Sequence, residues 1–305
     1  MHTVRKATGA VALHLILAAG CAQGTKDESG SCDNATAEGY QTLEHNGVTR
    51  EYILQVPSSY SSDTAVPLVI NFHGNGGCAS QYDLYESENM DLSAVANAEN
   101  FIVAYPQGVI RAKGAAEWDP GATGVENIND DDVFFTEQLV AQISSQYTID
   151  SAQVYAVGYS NGGMMAYGLA CHSGSLVAAV GIMSGIMLPG TCTATDYTSV
   201  IHFHGTADDA LPYDGNQEYQ SVANVVDFWV QHNNIPSASL VSTALNDGDV
   251  RRDEYSGGNE NTSVVLYTIT GGGHVWFNDP IDGEEPNQIL WDFLSGYNLT
   301  GSTAN

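Results

Sequence analysis

Gln153-Val154-Tyr155-Ala156-Val157-Gly158-Tyr159-Ser160-Asn161-Gly162-Gly163-Met164-Met165 decides how this sequence folds. An apolar run meets a serine framed by glycines, and an apolar-periodic segment from Asn161 to Cys171 follows. Strand, sharp turn and helix is the context in which a G-x-S-x-G pattern lifts its serine hydroxyl above the carboxyl end of a sheet. The pattern alone says little in a chain with 32 glycines. Its placement between strand and helix carries the weight, and without it Ser160 reads as a helix cap. Gly158 and Gly162 are expected where a side chain would strike a neighbouring element.

Working outward, short continuous apolar runs recur: Val66 to Phe72, Phe101 to Tyr105, Val177 to Met183, Val200 to Phe203 and Ser263 to Ile269. Runs of this length read as strands buried on both faces. Between them lie helical patterns. Val133 to Tyr147 sets Phe134, Leu139, Ile143 and Tyr147 near one stripe, and Val222 to Val230 and Ile289 to Tyr297 are amphipathic. Alternation of strand and helix implies an α/β fold, a mainly parallel sheet flanked by helices on both faces. Arg50 to Val56 alternates and reads as an antiparallel edge strand. No linker interrupts Tyr40 to Leu299, so one catalytic domain is expected over residues 38–305.

A serine hydroxyl needs a base beside it at neutral pH. In sheets of this kind the partners follow as an acid and then a histidine, each on a loop after a strand. Ile201-His202-Phe203-His204-Gly205-Thr206-Ala207-Asp208-Asp209 ends one strand, and Gly271-Gly272-Gly273-His274 ends another. The gaps Ser160 to Asp208 and Asp208 to His274 each accommodate about one strand–helix–strand unit. Asp208 and His274 are the candidates, with Asp209 competing for the acid. An oxyanion hole requires two backbone N–H groups converging on one point. Asn161 supplies one, and the Phe72-His73-Gly74-Asn75-Gly76-Gly77 loop the other, through Asn75 with Gly76 next. That loop lacks the Lys-Ser/Thr ending of a phosphate loop.

The 305 residues carry 8 Lys+Arg against 36 Asp+Glu, a formal charge of −28, and 43% hydrophobic residues. The apolar fraction excludes a disordered chain. The charge excludes nucleic acid as a partner, because a phosphate backbone is repelled. Arg5 and Lys6 precede a short apolar run from Ala7 to Ala19, the pattern of an export signal over residues 1–20. Leu17-Ala18-Ala19-Gly20-Cys21 is similar to a bacterial lipoprotein processing site, with cleavage near Gly20 or Ala22 without lipid as the alternative. Five cysteines are an odd number, and lipidation of Cys21 leaves four for disulfides in an exported protein. Residues 21–37 then form a polar tether.

The sequence resembles the secreted α/β-hydrolase esterases grouped with poly(3-hydroxybutyrate) depolymerases and with the feruloyl and acetylxylan esterases of carbohydrate esterase family 1. The likeness rests on Arg50-Glu51-Tyr52-Ile53-Leu54, Phe72-His73-Gly74, Tyr105-Pro106-Gln107-Gly108, Trp118, Asp131-Asp132-Val133, the Val154 to Met165 stretch, His202 to Asp208, and Gly271 to Trp276. It covers nearly all of Glu44 to Tyr297. The resemblance implies an α/β-hydrolase fold and a Ser160–His274–Asp208 triad. It also implies the pairs Cys171–Cys192 and Cys32–Cys78, although four cysteines allow three connectivities.

Trp118, Tyr159 and Trp276 are the candidate pocket walls, since aromatic rings suit a flat acyl group or a sugar; for Trp118 core packing is an equal reading. Asp131 and Asp132 fit either the rim or a solvated first helical turn. His202 and His204 share a strand face. With no third ligand at a convincing spacing they are expected to brace the core or a loop, and neither metal nor cofactor is expected. The expectation is an exported, monomeric serine esterase acting on feruloylated or acetylated cell-wall polysaccharide, outside the cell or lipid-anchored at its surface. A hydroxyalkanoate polyester or oligomer is the alternative substrate, disfavoured for solid polymer because the sequence ends just after the last helix. An inactive hydrolase-fold surface-binding lipoprotein is the alternative of another class.

Overall fold

The computed structural model describes residues 39–82, 90–110, 115–121, 132–188, 192 and 194–303. The expected leader, Cys21, the tether, Cys32 and Asp131 lie outside the described residues.

Ten strands form one sheet: β1 (Tyr40–His45), β2 (Val48–Gln55), β3 (Val66–Phe72), β4 (Ile102–Pro106), β7 (Ile149–Tyr159), β8 (Ala179–Met183), β9 (Ser199–Gly205), β10 (Val241–Leu245), β11 (Val250–Tyr255) and β12 (Val264–Ile269). Two small ribbons, β5 (Val109–Ile110) with β6 (Ala116–Glu117) and β13 (Tyr297–Asn298) with β14 (Gly301–Ser302), stand apart. The order across the main sheet is β1-β2-β4-β3-β7-β8-β9-β12-β11-β10. The six strands from β4 to β12 run parallel, and an antiparallel pair extends the sheet on each side.

Burial on both faces explains the continuous apolar runs. Leu68, Ile70, Ala156, Val180 and Val200 face one core, beneath α2 (Asp132–Gln146), α3 (Asn161–His172) and α4 (Val222–His232). Val69, Val103, Val157, Met183 and Ile201 face the other, beneath α1 (Ser93–Glu99) and α5 (Pro286–Ser295). Helices on both faces are what parallel crossovers require.

Three sequence expectations change. β2 is not the edge, because β1 pairs outside it. The buried stripe of α2 is Val133, Phe135, Thr136, Leu139, Val140 and Ile143, whereas Phe134 is 44% exposed. Phe134 and Leu139 are five residues apart, a spacing that turns them to different sides of a helix. The third change concerns Asp132, which neither lines a rim nor meets water. It is fully buried in the first turn of α2, and its Oδ1 lies 2.8 Å from Arg50 Nη2.

That ion pair ties the first half of the fold together. The Arg50 guanidinium lies 3.8 Å from the Phe135 ring centre and donates through Nη2 to the Gln107 carbonyl at 3.1 Å. Asp132 Oδ2 accepts from the Asp119 N–H at 2.7 Å. Both charges are buried, so removing one leaves the other unpaired in a low dielectric. The other described arginines pair along their own strand, Arg251 with Asp253 and Arg252 with Glu254, both at 2.8 Å. Arg50→Met is expected to cost about 3–5 kcal/mol in urea unfolding, and Arg50→Met combined with Asp132→Leu to cost clearly less than Arg50→Met alone.

Candidate active site

Ser160 sits between the end of β7 and the start of α3, with φ 55° and ψ −118°. A non-glycine residue at positive φ is strained by roughly 1–3 kcal/mol and needs rigid surroundings to hold it there. The surroundings are backbone. A Cβ on Gly158 would lie 2.1 Å from the Gly162 carbonyl oxygen, and one on Gly162 would lie 2.1 Å from that of Phe72. β3, β7 and α3 therefore meet closer than any side chain permits. The Ser160 N–H donates to the Met183 carbonyl of β8 at 3.0 Å, and the Ser160 carbonyl accepts from the Met164 N–H at 3.1 Å.

His274 Nε2 lies 2.9 Å from Ser160 Oγ, and His274 Nδ1 lies 2.8 Å from Asp208 Oδ2. Asp208 is buried at the loop after β9, whereas its neighbour Asp209 is exposed. Asp208 Oδ1 accepts from the N–H groups of Ala210 and Leu211 at 3.0 and 2.8 Å. Burial pushes its carboxyl up, but the hydrogen bonds from His204, the Leu211 N–H and His274 outweigh burial and hold it at about 2. A carboxylate at that position orients an imidazole and stabilises its protonated form.

Two loops must converge for this. Gly205 and Gly272 touch through their backbones, a Cβ on Gly205 falling 2.1 Å from the Gly272 carbonyl oxygen. The Ala207 N–H donates to Gly272 O, and the Gly271 N–H to Thr206 Oγ1. Gly273 has open space around its missing Cβ. The histidine loop is further fixed by the Tyr159 hydroxyl donating to the His274 carbonyl at 2.8 Å and the Ser184 hydroxyl donating to the Val275 carbonyl at 2.7 Å.

On the other side of Ser160, a Cβ on Gly74 would come within 3.4 Å of the Ser160 Cβ, so the Gly74–Asn75 turn lies against the serine. Among the described residues, neither the Asn75 nor the Asn161 N–H has a hydrogen-bond partner. The Gly76 N–H is engaged by the Ala116 carbonyl at 2.7 Å, which removes the second choice. His73 sets the turn. Its Nε2 accepts from the Gly108 N–H at 2.9 Å, so the ring proton resides on Nδ1 and points to the Gly74 carbonyl at 2.7 Å.

For Trp118 the core-packing reading is the one found, and for Trp276 the pocket-wall expectation is corrected. Trp118 and Trp276 are 3% and 2% exposed and belong to the two cores. Trp118 Nε1–H donates to the His73 carbonyl, and Trp276 Nε1–H to Asn287 Oδ1, both at 2.9 Å. They brace the two loops from behind. Tyr159 remains half-buried at the site, its ring 5.1 Å from that of His274. The sequence reading missed the Asn161 side chain, whose Oδ1 accepts from the Trp118 N–H at 2.7 Å and whose Nδ2 donates to the Trp118 carbonyl at 3.2 Å. It missed Ser184 as well. A Ser-Gly pair directly after a buried strand was the available signal. Cys171 and Cys192 form the expected disulfide. Cys78 is also disulfide-bonded, while its expected partner Cys32 lies outside the described residues.

A mainly parallel sheet with helices on both faces, and a serine lifted on the strained turn after its central strand, defines an α/β-hydrolase. The chain belongs to the Esterase family ("Putative esterase"), whose family model matches residues 46–257. It is 28% identical over 264 residues to feruloyl esterase B of Piromyces equi, covering 82% of this chain but 46% of that protein, so it spans about half of that relative. It is 27% identical over 269 residues to feruloyl esterase C of Emericella nidulans, covering 86% of this chain and 91% of that one. Among solved structures, an acetyl xylan esterase from Aspergillus awamori shares the fold at a TM-score of 0.63 and 17% identity, over 84% of this chain and 99% of its own.

Gly162→Ala is expected to lose about 3 kcal/mol or more of stability in denaturant titration, since backbone must move to admit the Cβ. Gly273→Ala, with open space around it, is expected to stay within about 0.5 kcal/mol of the parent.

Proposed function

We propose that the chain is an exported serine esterase that cleaves feruloyl or acetyl esters of plant cell-wall polysaccharide. The observation that carries the chemistry is the unbroken contact from Ser160 Oγ through His274 to Asp208, at 2.9 and 2.8 Å. The substrate class is carried by the kinship to the Piromyces and Emericella feruloyl esterases.

In this reading His274 Nε2 takes the Ser160 proton as Oγ attacks the ester carbonyl. Asp208 holds the imidazolium that results. The negative charge on the former carbonyl oxygen is met by the N–H groups of Asn161 and Asn75, two donors with no other partner among the described residues. Collapse of the tetrahedral intermediate breaks the carbon–oxygen bond of the alcohol, which leaves with the proton from His274. Water then gives a proton to His274 as it attacks the acyl-enzyme, and the second tetrahedral intermediate breaks its bond to Ser160 Oγ, which takes the proton back from His274 as the carboxylic acid leaves. Because Asp208 is held at about 2, the acid limb of kcat/KM follows protonation of the imidazole and not of the carboxylate. The Cys171–Cys192 disulfide supports an oxidising compartment, in keeping with export. Cleavage after Gly20, lipidation of Cys21 and a monomeric state belong to the same proposal.

The test is a one-pot competition among methyl ferulate, acetylated xylan and 3-hydroxybutyrate oligomers, with released acids quantified by mass spectrometry. Ferulate or acetate is expected from the parent, with kcat lower by about three or more orders of magnitude in Ser160→Ala. Near-parental turnover by Ser160→Ala overturns the nucleophile, and dominant release of hydroxybutyrate overturns the cell-wall substrate while leaving the nucleophile in place.

A further inference from the structure

The carboxylate of Asp208 has one more neighbour than the triad uses. His204, on β9, is fully buried, and its Nε2 lies 3.3 Å from Asp208 Oδ2 and 2.8 Å from the Leu211 carbonyl oxygen. Both neighbours of Nε2 are acceptors, so Nε2 must carry a proton. On its other side, His204 Nδ1 lies 3.0 Å from His202 Nε2. His202 is also fully buried, and its Nδ1 lies 3.0 Å from the Tyr167 hydroxyl on α3.

Only one arrangement of protons gives every contact a donor while keeping both rings neutral. His204 holds its single proton on Nε2, so its Nδ1 accepts and His202 Nε2–H donates to it. His202 Nδ1 is then an acceptor, filled by the Tyr167 O–H. Burial pushes the Tyr167 phenol up and keeps it a donor. Burial, aided by the neighbouring His204, outweighs the opposing pull of the Gly185 backbone, pushes the His202 imidazole well below the usual range and keeps it neutral. Donation thus runs one way, from a tyrosine in the core to the carboxylate of the triad. Reversing any member would put a ring lone pair against the Asp208 carboxylate.

We propose that His204 is a positioning residue of the hydrolytic site, its Nε2–H fixing Asp208 Oδ2 and its tautomer locked through His202 by the Tyr167 hydroxyl. The inference rests on the serine-esterase reading of Ser160, His274 and Asp208. The geometry gives it a distinct signature. Asp208 Oδ2 accepts from His274 Nδ1–H at 2.8 Å and lies 3.3 Å from His204 Nε2, whose single proton it shares with the nearer Leu211 carbonyl. A donor withdrawn from that oxygen leaves a more basic carboxylate, which binds the protonated imidazole of His274 more tightly. Loss of His204 therefore raises the acid limb of the activity profile, an effect that loosened packing alone does not predict. The titratable groups facing His204 are Asp208, His202 on β9 and Tyr213 from the segment before α4, with Tyr167 on α3 one step further, behind His202. Those facing His274 are Asp208 and Tyr159.

The experiment measures kcat and KM against pH with p-nitrophenyl acetate for the parent, His204→Leu, His204→Gln, Tyr167→Phe and Ser160→Ala, with thermal melts and fluorophosphonate labelling of each. His204→Leu is expected to raise the acid limb by about half to one pH unit and lower kcat by roughly 3–10-fold, with KM within about twofold. His204→Gln, whose amide N–H reaches the place of Nε2, is expected to recover most of both changes. Tyr167→Phe is expected to move the limb in the same direction by less. Coincident limbs for His204→Leu and the parent, or no recovery in His204→Gln, overturn the proposal. If His204→Leu does not fold, an unmoved limb in folded Tyr167→Phe overturns it. A Ser160→Ala protein that keeps activity or still takes the fluorophosphonate overturns the underlying reading instead.

Discussion

The site depends on one steric constraint: β3, β7 and α3 approach one another more closely than a single methyl group would allow. Phe72 O, Gly158 and Gly162 occupy the space that side chains would need. From that contact three consequences follow in order. Ser160 is forced to positive φ with its hydroxyl standing clear of the sheet. Its neighbour Asn161 becomes the first residue of a helix, with its N–H unused among the described residues. The loop leaving β3 is then brought against the same point, so that Gly74 and Asn75 border the serine.

The loops that complete the site are irregular, and irregular backbone holds a fixed shape only when its polar groups are satisfied. Here the satisfaction comes from buried side chains. His73, Asn161 and the Trp118 indole serve the Asn75 side, while Tyr159, Ser184 and Trp276 serve the His274 side. Behind the first group stands the Arg50–Asp132 pair, which links β2 to α2 and, through Gln107 and Asp119, to both loops next to His73. Rigidity is thus supplied from the core outward, as a group that must reach within hydrogen-bonding distance of a reacting atom requires.

How much of this was legible in the sequence depended on whether the signal was local. β3, β7, β8 and the turn at Ser160 could be read because a buried parallel strand is a continuous apolar run and the elbow has its own spacing. Asp208 and His274 could be placed because each ends such a strand. Trp276 was misread because proximity in sequence to His274 gives a ring's size but not its direction, while for Trp118 nothing local separated wall from core. Phe134 was misread because the stripe through Leu139 and Ile143 was extended back to it in place of its neighbour Phe135. β10 and β11 escaped notice: β10 is an exposed edge strand, and β11 carries Arg251, Arg252, Asp253 and Glu254 in place of an apolar run. Arg50 and Asp132 form a contact between distant positions, which no window along the chain can show.

The distribution of charge bears on the fate of the product. Among the described residues the arginines are Arg50, Arg251 and Arg252, one sealed in the core and two neutralised by acids on their own strand. Those cations leave little to offset the surface acids of a chain with net charge −28. Ester hydrolysis turns an uncharged acyl group into an anion at the moment of release. The anion is therefore formed inside a repulsive field, which speeds its departure and opposes its return, while the neutral ester enters without feeling that field. Added salt shortens the field's reach to about 10 Å at 0.1 M, so the asymmetry between arriving ester and departing acid is a property of dilute surroundings.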